Sequence, residues 1–365
     1  MNTLVLIPKT NKVSYAYIEF GKIFFQGVLP YRDENAGMRS WAGIMEYMSD
    51  EMAKHGIKRE SLEAITVHGV FGASDFDCPR LVDDLVLKKL ENLIPRAPLH
   101  LPQVVDAIKA CRHVFLGVPT IIVFETSFFV NLAAREHKYA LDNKLMTSSG
   151  IRRYGYCGIY HQAACKYIVG IHRKKGLASA PRIISICLES RPEIAAVTGT
   201  RPVMVTSGAT PLEGLPSEKS CGEIDPSIAI TLVQSKNWGP EQINLLLTRQ
   251  SGVYGLTGKQ VTLDELFWSN DDKYTLAKEL IKYRMLLGCG SAIAAMGGVD
   301  YLVFSGKYTM LGNILGPWLS TRMQAASNDK HSELWTLFYS RSREQIMVDE
   351  ASLVVLNISR ETQAI

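Results

Sequence analysis

Thr120-Ile-Ile-Val-Phe-Glu-Thr-Ser-Phe128 decides how the fold is read. Its first five residues, Thr120–Phe124, form an unbroken β-branched and aromatic run with no polar alternation. That is the pattern of a strand buried on both faces, which occurs where helices cover a sheet on both sides. Upstream, Ala64–Val70 is a second β-rich run, while Arg80–Leu93 and Val104–Cys111 read as helices. The chain opens on a meander of three short strands, Thr3–Ile7, Val13–Glu19 and Lys22–Gln26, with Phe20-Gly21 as a turn. A helix is expected from about Met38 to His55, with Gly56 as its stop.

Downstream the same order returns. Arg182–Leu188, Glu193–Val197 and Pro202–Thr206 read as strands, and Pro226–Gln234 and Pro240–Arg249 as helices, with Pro240 at a first-turn position. Asp271 or Asp272 is expected to cap a long helix that runs to Met296 and ends at Gly297-Gly298. Tyr301–Phe304 is another buried strand. Gly288-Cys-Gly290 lies inside the long helix rather than after a strand, so it is not a dinucleotide fingerprint. A strand meander followed by alternating helices and strands, met twice, predicts two α/β domains with a cleft between them.

Composition narrows the function classes. The 365 residues suffice for two domains with sizeable cores. A net charge of +4, with no run of like charges, speaks against nucleic acid; the densest basic cluster, Ile171–Gly176, reads as a solvated helix end. Seven cysteines at irregular spacings, with no CxxC pair, read as reduced thiols of a cytoplasmic protein and not as a zinc site or disulfide frame. Leu4–Ile7 is stopped by Pro8 and lacks a preceding basic region, so no signal peptide is expected. The longest apolar run, Val114 to Phe124, is too short to cross a bilayer, so no membrane association is expected.

Four blocks carry a more specific signal: Val123–Phe128; Arg152-Arg-Tyr-Gly-Tyr-Cys-Gly-Ile-Tyr-His161; Thr210-Pro-Leu-Glu-Gly-Leu215 with Gly222-Glu-Ile-Asp-Pro226; and Met296-Gly-Gly-Val-Asp-Tyr-Leu-Val-Phe304. Together with Ser251-Gly-Val-Tyr-Gly-Leu-Thr-Gly258, they make the chain resemble the acetate kinase (acetate/propionate kinase) family, part of the actin-like sugar kinase and Hsp70 superfamily. The resemblance runs from about Ile65 to Phe304. It implies an α/β fold of two duplicated actin-like (ribonuclease H-like) domains with a central cleft. The first would span residues 1–124 plus about 342–365, the second 125–341. Family members move the terminal phosphoryl of ATP to acetate or propionate, usually as homodimers.

The resemblance also implies where the chemistry should sit, and there the chain departs from the pattern. Phosphoryl transfer relies on dense, well-placed positive charge and bound Mg²⁺. In the opening phosphate loop, Pro8 stands where the family has Asn and Tyr15 near its Lys. The two carboxylate-clamping arginines align with His68 and Ser220, and the His of the Tyr-Gly-Phe-His block with Cys157. The Gly-Asn-Gly turn is Glu189-Ser-Arg191, the Mg²⁺-holding Glu is Met310, and a nucleotide-flanking Arg is Asp264. Loss of one preorganised donor costs roughly 10²–10³ in rate.

The candidates that remain are His161, Glu125 (for the family's catalytic Asp) and His68 as degenerate catalytic residues. Val70, Leu99, Tyr156 and Pro211 form an acyl-binding wall. Gly252, Gly255, Gly258 and Gly306 mark the nucleotide side, and no metal ligands are assigned. Each has a plainer structural reading: His68 beside Gly69 as a structural histidine, Cys157 as an inert buried thiol, the apolar four as core, the glycines as turns. His161 and Glu125 serve equally as an acid/base pair or as second-line hydrogen-bonding groups.

The expectation is therefore a pseudokinase: a divergent acetate kinase-like protein, catalytically inactive or repurposed as a small-ligand-binding or assembly subunit. It would bind a small carboxylate, act as a homodimer or subunit of a larger assembly, and have no assigned cofactor. Phe24-Phe25, Phe128-Phe129 and Trp318 are the hydrophobics a partner would cover. The alternative is an active acyl-phosphate kinase using Mg-ATP and displaced cations such as Lys9, Lys12, Arg191 or Lys307.

Overall fold

The computed structural model describes residues 1–33, 37–326 and 334–363. Two compact units divide the chain: Met1–Val130 together with the segment from Ser342 onward, and Asn131–Arg341.

The first unit opens with the antiparallel meander β1 (Thr3–Pro8), β2 (Lys12–Glu19) and β3 (Lys22–Pro30). Its hairpin turns at Phe20-Gly21, where both residues have positive φ (48° and 77°), the twist that fits a tight two-residue loop. β3 extends past the expected Gln26 because Gly27 to Pro30 remain paired with Tyr15 to Lys12. A short ladder of β4 (Arg32–Asp33) and β5 (Gly37–Met38) precedes α1 (Trp41–Lys54), whose N-cap Ser40 accepts from Gly43 N–H.

β6 (Ala64–Gly69) lies parallel to β1. The region expected as one helix from Arg80 divides into β7 (Arg80–Leu81) and α2 (Asp84–Leu93), because the Asp83 side chain caps the helix by accepting from Val86 N–H. After α3 (Leu101–Val114), β8 (Thr120–Phe124) runs parallel to β6. The sheet order is β3-β2-β1-β6-β8-β7. Every residue of β1, β6 and β8 is buried, as expected for strands covered on both faces.

The second unit begins with α4 (Ala134–His137), α5 (Asn143–Ser149) and α6 (Gly158–Lys174). Another antiparallel meander follows: β9 (Arg182–Cys187), β10 (Glu193–Thr198) and β11 (Arg201–Val205). Then come α7 (Pro226–Lys236), α8 (Pro240–Arg249), α9 (Gly252–Thr257), α10 (Leu263–Trp268) and α11 (Thr275–Met296). β12 (Tyr301–Ser305), α12 (Gly312–Ala326) and β13 (Trp335–Phe338) complete the unit. The sheet order is β11-β10-β9-β12-β13, with β9, β12 and β13 parallel. In each unit, then, a three-strand meander leads into parallel strands added on the side of its first strand. The mixed α/β fold is duplicated.

α11 buries Ala277, Ile281, Met285, Cys289 and Ala292, a stripe at helical spacing that packs into the second unit's core with Ile184, Ile194, Leu302 and Phe304. Asp271 caps a short 3-10 turn just ahead of α11, and Gly297, in the left-handed conformation, ends it. The first unit is completed by α13 (Arg343–Gln363), which packs on β1, β2, β6 and β8. The last residues of the expected first domain, 364 and 365, lie outside the described residues. Among the described residues, no helix is long and apolar enough to cross a membrane.

Candidate active site

In the first unit the parallel strands β1, β6 and β8 end side by side, and side chains from those ends meet. Glu125 directly follows β8, is 2% exposed, and extends the ladder by donating its N–H to Gly69 O at 3.0 Å. His68, near the end of β6, is 4% exposed, and its Nε2 lies 3.0 Å from Glu125 Oε1. Arg343, the first residue of α13, places Nε 2.9 Å from the same oxygen. Lys9, exposed just after β1, adds positive charge on the His68 side. Burial holds the His68 imidazole below its ordinary pKa; the Glu125 carboxylate opposes this, and Arg343 and Lys9 reinforce it.

His68 and Glu125 are thus brought together, and the carboxylate that His68 meets is the chain's own. Arg343 escaped the sequence reading because nothing local ties it to Glu125. A local signal for its helix did exist. Ser342-Arg-Glu-Gln345 is a capping box, with Gln345 N–H donating to Ser342 Oγ and Ser342 N–H to Gln345 Oε1.

His161 sits in the second unit, fully buried on α6. Its Nδ1 lies 2.8 Å from Ser185 Oγ and its Nε2 3.3 Å from Glu193 Oε1. Glu193, 1% exposed, accepts from Tyr156 N–H at 2.7 Å and Cys157 N–H at 2.8 Å. A buried carboxylate therefore closes the N-terminus of α6, where donors and dipole favour negative charge. Sequence reasoning took Glu193 only as a strand residue.

Residues of the second and third sequence blocks lock one another in place. Arg153 donates to Glu213 Oε1 at 2.7 Å and to the carbonyls of Val205, Thr206 and Ser207. Glu213 also accepts from Tyr139 Oη. Burial first, and then this carboxylate, push the Tyr139 phenol up to about 12. Ser220 is 1% exposed and shares a 2.6 Å hydroxyl pair with Ser217. Cys157 is buried at the N-cap of α6.

Of the apolar candidates, Val70 is partly buried just past β6, whereas Leu99 is 65% exposed. In the second unit Tyr156 donates its hydroxyl to Ala209 O at 2.6 Å, two residues from the partly buried Pro211. Of the hydrophobics proposed for a partner, Phe24 is 54% exposed but Phe129 is fully buried.

The glycine candidates sit at backbone close approaches and turns. Gly252 opens α9 with φ 60°, where a Cβ would collide with the Ser217 carbonyl, and Gly258 ends that helix with φ 67°. Gly255 lies within α9. Gly306, after β12, has φ 88°, and a Cβ there would lie 2.9 Å from Leu188 O. This turn joins the ends of β12 and β9: Tyr308 N–H donates to Leu188 O and Lys307 N–H to Glu189 Oε1, both at 2.8 Å. Arg191, exposed just beyond, lies within electrostatic reach of Arg249. Met310 is 64% exposed, and Asp264 accepts from Trp268 Nε1 on its own helix.

Comparison with known proteins accords with this architecture. Residues 31–309 match the model of the acetokinase family. An acetate kinase of Halothermothrix orenii is 31% identical over 282 residues, which cover 75% of this chain and 68% of the relative. One from Thermoanaerobacter pseudethanolicus is 34% identical over 250 residues, covering 67% and 62%. The aligned part therefore spans about two thirds of these relatives' length. The solved acetate kinase of Porphyromonas gingivalis superposes with a TM-score of 0.85 at 23% identity, over 97% of this chain and 99% of its own. A Francisella tularensis propionate kinase gives 0.82 at 23% identity, over 96% and 98%. At those identities the structural likeness establishes the fold, and the sequence match establishes descent: this chain belongs to the acetokinase family.

Proposed function

We propose that the chain is an acyl-phosphate kinase with an altered site, moving the terminal phosphoryl of ATP to a short-chain carboxylate such as acetate or propionate. The observation that carries the reading is the cluster at the ends of β1, β6 and β8. A buried carboxylate stands at the position of the family's catalytic Asp, with Arg343 beside it and Lys9 nearby. Ligands of open α/β sheets bind outside the carboxyl ends of parallel strands. Arg343 lies outside the blocks that carry the family resemblance and would supply positive charge beside Glu125. The curated relatives, named acetate kinases, favour this reading over the pseudokinase expected from the substitutions alone.

In the reaction an acceptor carboxylate oxygen bonds to the terminal phosphorus, the bond to the ADP oxygen breaks, and ADP carries away the electron pair. Such a step is served by positioned positive charge more than by covalent help. Lys9 and the Arg343–Glu125 pair would orient and balance charge at the strand ends of the first unit. Mg²⁺ brought with ATP would neutralise phosphate charge while keeping water ligands. Among the described residues no three His, Cys, Asp or Glu side chains gather to hold a metal, and Glu125 is engaged by His68 and Arg343.

A homodimer in a reducing, cytoplasmic setting fits the same reading. α7 is largely apolar yet buries no residue, with Ile228, Ile230 and Val233 exposed, and all seven cysteines are unbridged. A second reading, a non-catalytic ligand-binding or assembly subunit, is favoured by Glu189. Its carboxylate occupies the Lys307 N–H, an internal anion on a donor at the strand ends.

Trapping acyl phosphate with hydroxylamine separates the two. Hydroxamate formed from millimolar acetate or propionate with Mg-ATP supports the kinase. No hydroxamate, and no Mg²⁺-dependent ATP binding by calorimetry, leaves the second reading.

A further inference from the structure

We propose that Arg343 is a positioning residue of the first unit's site: its guanidinium carries the counter-charge of Glu125, leaving the His68 imidazole a neutral donor through Nε2 with a bare Nδ1. The inference rests on the strand-end site proposed above, but it concerns how charge is distributed there and not whether turnover occurs.

The argument is geometric. Two groups approach one oxygen of a buried carboxylate, His68 Nε2 at 3.0 Å and Arg343 Nε at 2.9 Å. Either could balance the negative charge. His68 Nδ1 is buried and has no hydrogen-bond partner. Were the imidazole protonated, that nitrogen would carry a buried N–H with nothing to receive it, which burial penalises. A neutral ring avoids the cost by keeping its proton on Nε2, toward Glu125. The guanidinium stays charged under all ordinary conditions, so the charge of Glu125 falls to Arg343. The other charged group facing His68, Lys9 after β1, is of the sign that keeps the ring neutral.

The arrangement links two distant parts of the chain. α13 docks on the ends of β6 and β8 with its first residue already paired, so the helix and the charge state of the site are set together. The three groups, guanidinium, carboxylate and imidazole, meet at one oxygen, Glu125 Oε1.

The test is nitrogen NMR of the full-length protein labelled at histidine, with the His68 signals assigned through His68→Gln. At pH 7 the wild type should show Nδ1 unprotonated. In Arg343→Met the apparent titration midpoint of the His68–Glu125 pair should rise by about 1–3 pH units, because an unbalanced carboxylate then draws a proton onto the pair. Arg343→Lys should stay near wild type. The double variant Arg343→Met/Glu125→Gln removes both charges, tolerates burial better than either charge alone, and should return His68 to a low midpoint. A protonated Nδ1 in the wild type at pH 7 would overturn the proposal. So would an unmoved midpoint in folded Arg343→Met, or a raised one in the double variant. Because nothing turns over in this experiment, an inactive enzyme with the predicted titrations would count against the kinase reading and leave the role of Arg343 standing.

Discussion

Replacing Glu193 with alanine should destabilise the second unit more than any surface change in the chain. The carboxylate is 1% exposed, accepts from Tyr156 N–H and Cys157 N–H at 2.7 and 2.8 Å, and lies 3.3 Å from His161 Nε2. Truncation leaves two backbone donors and an imidazole facing an empty buried space, each orphaned donor costing about 1–3 kcal/mol. It also removes the negative charge from the N-terminus of α6, worth about 0.3–1 kcal/mol. Relief from burying a carboxylate offsets part of this, so the net loss should be about 3–5 kcal/mol, as when one partner of a buried pair is removed. For a unit of this size 1 kcal/mol shifts Tm by about 2–4 °C, so the transition of the second unit should fall by about 10 °C. Glu193→Gln keeps an acceptor oxygen and should lose about 1–2 kcal/mol. Calorimetry of the full-length variants reads both. A loss below about 1 kcal/mol in Glu193→Ala would refute the claim that this carboxylate closes the helix.

Other outcomes follow from the same geometry. His68 is held below its ordinary pKa of 6.5 in the fold, so across the window just beneath 6.5 the unfolded chain binds more protons and stability should fall as pH drops. Urea titrations from pH 7.5 to 5 should show this decline in wild type and a shallower one in His68→Gln; equal slopes would contradict it. Gly306→Ala places a Cβ 2.9 Å from Leu188 O at φ 88° and should cost about 2–3 kcal/mol, whereas a neutral effect in thermal melts would show that the turn relaxes freely.

Much of the fold could be read locally. Thr120–Phe124 and Pro240–Arg249 appear with the expected bounds, because an unbroken β-branched run and a first-turn proline are signals complete within a few residues. The long helix ending at Gly297 and the two meanders are of the same kind. Arg80–Leu93 was misread as one helix, although Asp83 with Val86 three residues on carries the cap that divides it. The site was less legible. Glu125 could be named from its block and His68 from its place in the family resemblance, but not their contact with Arg343, which depends on how α13 docks on a sheet built from the other end of the chain. Glu193 looked like the start of a strand because its role lies in where its side chain points, toward the N-terminus of α6. Matching residues to family positions says nothing of a cation such as Arg343, which lies outside the matched blocks.

The most direct test runs the reaction backward. Full-length protein is mixed with acetyl phosphate and Mg-ADP, the ATP formed is read with luciferase, and wild type is compared with Glu125→Gln. The account predicts ATP from the wild type and a fall of about 10²-fold or more in the variant, whose amide no longer carries the charge that Arg343 balances. No ATP from the wild type, or equal ATP from both, would contradict it.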